Sequence, residues 1–104
     1  MNIEETLEQR GQEYGSFKNQ SSMSQMMENV VRSMGNFESL EFYQQEAIKM
    51  MLHKIARICN GNPYYLDSWR DIIGYCQLAL DLTSEHPRAT DIKVEKYDVN
   101  DLQN

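Results

Sequence analysis

Charged side chains that could do chemistry are concentrated between residues 46 and 71 of this 104-residue sequence. Glu46, His53 and Arg57 recur at intervals that place them on one stripe of a helix, and Asp67 and Asp71 lie one turn apart further along. Carboxylates are suitable ligands for Mg²⁺ or Mn²⁺, and a neighbouring Lys or Arg suits a phosphate. The pattern therefore indicates a site that holds a nucleotide phosphate together with its metal ion.

The same charges also allow a structural interpretation. Enclosed charges must be paired, so Glu46 and Asp71 could belong to an ion-pair network. The cations of that network would be Lys54 and Arg57. Asp67 also fits the cap or the first turn of its helix, where a negative charge faces the positive end of the helix dipole. The residues by themselves leave both interpretations open.

These residues lie on a predicted helix–loop–helix that runs from about Ser39 to Glu85. Gly61 is expected to end its first helix in the left-handed conformation, and Pro63 cannot continue that helix. The second helix has two apolar sides, so a second layer must cover it, and self-association would supply that layer. One side contains Trp69, Ile72, Ile73, Cys76, Ala79 and Leu80. The other side, which is expected to form the contact, contains Tyr75, Leu78 and Leu82.

Two further helices are predicted near 3–13 and 22–34, and the helices of the hairpin are predicted near 38–60 and 64–85. Gly11 and Gly15 predict a turn after the first helix, followed by a polar loop over residues 16–22. Ser22 to Gln25 match a capping box that would begin the next helix. The predicted fold class is therefore all-α, a four-helix bundle completed by self-association, with a poorly structured C-terminal tail.

The apolar stripe of the helix near 22–34 is interpreted as an adaptable core contact or, alternatively, as a partner-binding surface. It contains Met23, Met26, Met27, Val30, Val31 and Met34. Cys59 and Cys76 are expected to be buried free thiols in a reducing cytosol. Residues 1–86 are predicted to form a single domain. Residues 87–104 are predicted to form a tail or arm, in which Ile92 and Val94 could make a short edge strand.

Composition and motifs argue against several classes of protein. The net charge of -6 disfavours a general binder of nucleic-acid backbones. No apolar stretch approaches the roughly 20 residues that cross a bilayer, and the acidic N-terminus lacks the apolar centre of a secretory signal. No catalytic triad motif, glycine-rich phosphate loop, zinc signature or dinucleotide fingerprint is present. The protein is therefore expected in the cytoplasm, without a membrane or general DNA partner.

Two segments of the sequence resemble a family of small, mostly phage-encoded proteins of unassigned function. They read RGQEYGSF at residues 10–17 and MMLHKIARICNGNPYYLDSWRDIIGYCQL at residues 50–78. The family pattern is Arg-Gly-x-x-Tyr-Gly, followed by His-Lys-Ile-x-Arg-Ile, Asn-Gly and Asp-Ser-Trp-x-Asp-Ile-x-Gly-Tyr. The resemblance covers most of residues 4–84, and for phage-encoded members the location would be the host cytoplasm.

That family in turn resembles a divergent branch of the all-α nucleotide pyrophosphohydrolases, the MazG and dimeric dUTPase group. The likeness implies a four-helix core, dimers or tetramers, and Mg²⁺ held by Glu-x-x-Glu on one helix and Glu-x-x-Asp on the next. Asp71, with Asp67 four residues before it, stands near the second motif. Glu46 stands on the helix of the first motif, which is incomplete. The positions one and two turns further on are occupied by Met50, His53, Lys54 and Arg57.

The resemblance implies a Mg²⁺-dependent enzyme that hydrolyses a nucleoside triphosphate to a monophosphate and pyrophosphate. The metal ligands would be Glu46, Asp67 and Asp71. The phosphate-binding residues would be Lys54, Arg57 and Arg10. Other site candidates are His53, Tyr14, Asn60 and Tyr75, of which His53 also fits a hydrogen-bonded, partly buried imidazole. The alternative is a non-catalytic phage accessory or anti-defence protein that binds a host protein or a nucleotide.

Overall fold

The chain is all-helical in the computed structural model, which describes residues 2–91. The elements are α1 (Ile3–Tyr14), α2 (Phe17–Ser33), a short 3₁₀ helix (Phe37–Ser39), α3 (Phe42–Asn60) and α4 (Leu66–Ser84). Over this range there is no strand and there are four α-helices, which confirms the prediction of an all-α, four-helix fold. None of these helices combines the length and the apolar character needed to span a bilayer. The predicted edge strand at Ile92 and Val94 lies outside the described residues.

Helix α3 is the centre of the arrangement, because it contacts α4, α2 and α1. The short connection over residues 61–65 places α4 beside α3, as expected for a helix–loop–helix. Gln20 and Ser24 of α2 are buried, as are Ala47 and Ala56 of α3. The small side chains on α3 allow its neighbours to approach closely, and the buried Gln20 needs a polar partner on α3.

Helix α2 begins five residues earlier than the sequence predicts. Ser16 has an extended backbone, and its hydroxyl accepts a hydrogen bond from the backbone N–H of Asn19 at 3.4 Å. Ser16 is therefore the N-cap, and Ser22 lies inside the helix. The predicted polar loop over 16–22 is wrong, because the helix has to include Gln20 for its side chain to reach α3. Both serines fit a cap locally, and only the packing on α3 selects Ser16.

The glycines of the α1–α2 turn have separate roles. Gly11 is helical and lies inside α1, so the predicted turn at this residue is wrong. Gly15 has a φ of 75° and forms the turn itself. A side chain is strained in that conformation, and a Cβ at Gly15 would also overlap the backbone carbonyl of Asn60. The turn therefore requires glycine for two reasons.

Two loops meet at this point, and we call the contact of residues 13–16 with residues 60–62 the junction. The Asn60 side-chain amide donates hydrogen bonds to the carbonyl oxygens of Tyr14 and Ser16, each at 2.9 Å. The backbone N–H of Asn62 donates to the carbonyl oxygen of Glu13 at 2.8 Å. The α1–α2 turn is thus attached to the C-terminal end of α3 through its own backbone.

Gly61 is part of the junction, but its backbone differs from the prediction. Its φ is -126°, so it is not in the left-handed conformation, and that prediction is wrong. A Cβ at Gly61 would overlap the carbonyl oxygen of Glu13 and come within 2.5 Å of the Tyr14 backbone. The sequence requires glycine here because two backbones touch, and a helix-ending conformation is not the reason.

Few apolar side chains are buried in the described part of the chain. Only Phe37, Ala47 and Ala56 are buried among them. The methionine-rich stripe of α2 is split: Met23, Met27 and Val31 are partly buried, whereas Met26, Val30 and Met34 are 61% to 66% exposed. Cys59 and Cys76 are free thiols, as predicted, but both are exposed, so their predicted burial is wrong. A single copy of the chain leaves much of its apolar surface in water.

The junction predicts unequal effects of adding one methyl group at two glycines of the same segment. Gly15→Ala should lower the free energy of unfolding by about 2 kcal/mol or more, because Ala is strained at positive φ and overlaps Asn60. Gly11→Ala is the matched control: apart from its chain neighbours and the backbone of its own helix, no heavy atom of the described residues lies within 4 Å of its Cβ position. It should raise stability by about 0.5–1 kcal/mol, since Gly is a poor helix former. Urea unfolding measures both, and equal effects would contradict the junction.

Candidate functional site

The three predicted metal ligands do not meet within one chain. Asp71 forms an ion pair with Lys54, with 3.2 Å between Oδ2 and Nζ. Asp67 instead pairs with Arg70 at 3.2 Å in the first turn of α4. Glu46 is exposed and has no ion-pair partner within 4 Å among residues 2–91. Across that part of the chain, no three His, Cys, Asp or Glu side chains form a group that could hold a metal ion. The magnesium site therefore stays a prediction.

The ion pair between α3 and α4 matches part of the structural interpretation. The Lys54 side chain is 12% exposed and the Asp71 side chain 47% exposed, so water reaches the carboxylate. A pair of this kind stabilises modestly, because the remaining solvation of Asp71 is kept. Lys54 is therefore engaged by Asp71 between α3 and α4. It does not join Arg10 and Arg57, the other predicted phosphate-binding residues.

Arg57 lies under an aromatic ring instead of beside a carboxylate. Its guanidinium carbon is 4.0 Å from the centre of the Tyr14 ring, which is cation–π geometry. The Tyr14 ring also makes an edge-to-face contact with the Tyr65 ring. The two ring centres are 5.8 Å apart and the ring planes are at 82°. The Nε atom of Arg57 is buried and has no hydrogen-bond partner within the described residues. A buried N–H without a partner is costly, and at functional sites a ligand can satisfy it.

Arg57 lines a cavity between α1, the α1–α2 turn and α3. We call it the two-arginine cavity, because Arg10 is the second cation on its wall. Its volume is about 380 Å³, and no Asp or Glu of residues 2–91 lines it. The residues of the described range that line it are Leu7, Arg10, Gly11, Tyr14, Gly15, Ser16, Phe17 and Arg57. The volume is within the range of roughly 300–1,000 Å³ that is usual for small-molecule sites.

Local structure explains why these side chains converge. Arg10 and Tyr14 are four residues apart on α1, so they share one face of the helix. Gly15 reverses the chain directly after them, and the junction holds that turn against the end of α3. The N-terminal end of α2, capped by Ser16, also reaches the cavity wall. The positive end of a helix dipole adds to the cationic character of the wall.

His53 occupies a separate, structural position on α3. The Gln20 side-chain amide and His53 Nδ1 are 3.3 Å apart, and Gln20 is buried. Burial lowers the pKa of His53 below its usual value, and the nearby positive charges of Arg57 and then Lys54 lower it further. An amide N–H can only donate, so this contact requires Nδ1 to be the acceptor and the ring proton to be on Nε2. The interpretation of His53 as a hydrogen-bonded, partly buried imidazole agrees with this geometry.

The remaining candidates divide between the junction and the surface of α4. Asn60 belongs to the junction, where its amide holds the turn that carries Tyr14. Tyr75 is partly buried on α4 and does not line the two-arginine cavity. Sequence reasoning missed Leu7, Ser16 and Phe17 as cavity residues. The one signal that points to them is the Gly-Ser pair after Tyr14, which fits a turn followed by an N-cap.

Comparison with known proteins gives a family and no more. A family model, DUF6378, described as a domain of unknown function, matches residues 2–83. Neither a curated protein nor a solved structure matches the chain. The match agrees with the expected resemblance in one respect, a family without an assigned function. Nothing in it connects the chain with MazG-like pyrophosphohydrolases or with a phage.

The pairing of Asp71 with Lys54 predicts how the protein responds to loss of that carboxylate charge. Asp71→Asn should lower the free energy of unfolding by about 1 kcal/mol, because Lys54 loses its partner. The loss should be the same with and without Mg²⁺. Glu46→Gln is the control, since an exposed residue without a partner should change stability by less than about 0.5 kcal/mol. An Asp71→Asn protein that is more stable than the unchanged protein would favour metal binding at Asp71.

The lowered pKa of His53 predicts a stability that depends on pH. Well above pH 6.5, the usual pKa, the ring is neutral in the folded and in the unfolded chain. Below that value the unfolded chain takes up the proton first, so stability should fall as the pH is lowered from 6.5 towards the folded-state pKa. His53→Gln should make the decline shallower. Urea midpoints between about pH 8 and pH 5.5 measure it, and parallel profiles of the two proteins would contradict the expected shift.

Proposed function

The chain belongs to the DUF6378 family, a domain of unknown function, and we propose that it binds a nucleotide through its phosphate groups in the two-arginine cavity. The observation that carries the proposal is the position of Arg10 and Arg57 on one cavity wall without a lining carboxylate. Among residues 2–91 neither arginine has an ion-pair partner within 4 Å. Two cations without counter-charges facing the same space favour an anion.

Arginine is suited to phosphate because its planar guanidinium presents several N–H donors in a fixed geometry. Arg57 has little freedom to turn away, because the Tyr14 ring lies over its guanidinium and Gly15 and Asn60 hold the end of Tyr14's helix. A positioned cation binds with a smaller loss of side-chain entropy than a mobile one. Arg10 is exposed and can turn towards a ligand that is held by Arg57.

Part of the lining of the cavity is apolar. Leu7 is 60% exposed and Phe17 78% exposed, and both belong to the lining. An exposed aromatic ring beside a cationic wall suits a ligand with a flat base at one end and phosphate at the other, because bases stack on aromatic side chains. A nucleotide has this chemistry, whereas inorganic phosphate would use the cationic wall alone.

The proposal is binding and does not include hydrolysis. None of the lining residues is a carboxylate or a histidine that could act as a general base. The Mg²⁺-dependent pyrophosphohydrolase implied by the MazG resemblance would use Glu46, Asp67 and Asp71, and these are not gathered in one chain. The non-catalytic alternative, a nucleotide bound on a related helical scaffold, is therefore the function that the geometry supports best.

Isothermal titration of the full chain with ATP, GMP and pyrophosphate tests this function. ATP should bind, and Arg57→Met and Arg10→Met should each weaken it by about 10- to 100-fold, since a hydrogen bond to a charged group contributes about 1.5–3 kcal/mol. Lys49→Met is the control, because Lys49 is an exposed cation of α3 outside the cavity. It should leave the affinity unchanged.

Two outcomes would contradict the proposal. One is the absence of binding by any of the three probes at about 1 mM, a concentration at which even weak sites are occupied. The other is equal weakening by Lys49→Met and Arg10→Met, which would indicate general attraction of anions. Arg10 is exposed, so its substitution should leave the melting temperature unchanged, and this separates lost binding from lost folding.

A further inference from the structure

Five side chains of α4 follow each other at alternating intervals of three and four residues, and we call them the α4 seam. They are Leu66, Trp69, Ile73, Cys76 and Leu80. The four large ones are between 49% and 68% exposed, and Cys76 is exposed as well. This spacing is that of the a and d positions of a coiled coil, where one helix packs along another. The seam lies beside the face of α4 that packs on α3, and within residues 2–91 most of it is open to solvent.

The α4 seam continues into an apolar groove between α3 and α4. The groove has a volume of about 340 Å³. Its walls include Ala47, Ile48 and Met51 of α3 and Cys76, Ala79 and Leu80 of α4. Cys76 and Leu80 therefore belong to both the seam and the groove. A helix packed along the seam would cover both the seam and the groove. The α3–α4 pairs of two copies would then form a layer of four helices.

Trp69 is a fixed part of this surface. Its indole Nε1 donates a hydrogen bond to the carbonyl oxygen of Pro63 at 2.8 Å. The only polar atom of the side chain is thereby satisfied inside the chain, while half of the side chain is open to solvent. Aromatic rings that are held before binding are typical anchors of protein interfaces, because less entropy is lost on contact.

We propose that the α4 seam packs against the α4 seam of a second copy of this chain, with the two helices antiparallel. The two-fold axis passes between the two helices beside residues 74 and 75. In this register Trp69 packs on the partner's Leu80, and Ile73 packs on the partner's Cys76. A two-fold contact uses the same patch on both copies, so the seam has to be complementary to itself. An apolar stripe of this spacing meets that condition.

The charges beside the seam support the antiparallel direction. Arg70 and Asp81 lie on the same flank of the α4 seam, eleven positions apart. In the antiparallel register Arg70 lies next to the partner's Asp81, and Asp81 next to the partner's Arg70. A parallel register would leave these charges about 16 Å apart, at 1.5 Å of rise per residue. Arg70 also contacts Asp67 within its own chain, and both of these side chains are exposed. The guanidinium has further N–H donors that can bind the partner's Asp81.

The charges of α4 also argue against an anionic membrane surface as the partner of the seam. Helices that lie on anionic lipid are flanked by Lys and Arg, whereas α4 has three Asp and one Arg. The described chain also buries only three apolar residues, so the seam needs cover in the native state itself. A second copy presents the same apolar seam and the same flanking charges, so it fits both.

Sedimentation equilibrium of the full chain between about 1 and 100 µM tests the interface, a range that covers dimers of ordinary affinity. The unchanged protein should be a dimer. Ile73→Asp should raise the dimer Kd by about tenfold or more, because it places a charge in the apolar seam. Leu78→Asp is the matched control: Leu78 is 62% exposed on the same helix but lies outside the seam. It should leave the dimer intact.

A charge exchange tests the register and does not depend on one destabilised variant. Arg70→Asp and Asp81→Arg should each raise the dimer Kd, because each brings like charges together across the axis. The double variant Arg70→Asp/Asp81→Arg should restore the Kd of the unchanged protein. Far-ultraviolet circular dichroism establishes that each variant is helical.

Several results would overturn the proposal. A monomer at 100 µM would do so, as would a dimer that is lost with Leu78→Asp and kept with Ile73→Asp, since that points to Leu78 and Leu82 as the contact. Failure of the double variant to recover would overturn the antiparallel register. Binding of the monomer to anionic vesicles through Ile73 would assign the seam to a lipid surface instead.

Discussion

The close contact of two backbones at the junction is the constraint on which the other features of this protein depend. Gly15 and Gly61 face carbonyl groups of the opposite loop at distances that leave no room for a side chain. The amide of Asn60 then joins the last turn of α3 to the carbonyl oxygens on both sides of Gly15. Because α1 has no buried residue of its own, these bonds supply much of what determines its position.

The position of α1 in turn creates the two-arginine cavity. Tyr14 is the last residue of α1, so the junction places its ring directly over Arg57. Arg57 is thereby separated from the ion pair of Lys54 and Asp71, although Lys54 precedes it by less than one turn of α3. The same helix directs one cation towards α4 and another towards α1, and this separation leaves Arg57 without a counter-charge in the part of the chain that the structure describes. Burial lowers the pKa of the neighbouring His53, and the charges of Arg57 and Lys54 lower it further.

A second consequence concerns the balance of burial. The chain uses polar contacts and close backbone approach where helical bundles commonly use large buried side chains. Gln20, Ser24 and Ser68 are buried, and no large side chain is fully buried in the described residues. Apolar burial is the main favourable term in folding. Burying the exposed apolar stripes of α2 and α4 would therefore add stability that a single copy lacks. The α4 seam has the spacing for such burial against a like helix.

The sequence by itself determined the four helices, the central hairpin and the all-α fold, because apolar period and chain breakers act over a few residues. It also identified Arg10, Tyr14 and Arg57 as candidates, although only as separate members of a pattern. Tertiary structure decided which of two serines begins α2, why Gly61 is glycine, and which cation pairs with Asp71. It also decided that Glu46, Asp67 and Asp71 do not meet in one chain, and that Cys59 and Cys76 are exposed. These outcomes depend on distances between helices that are far apart in sequence, and helical period carries no information about those distances.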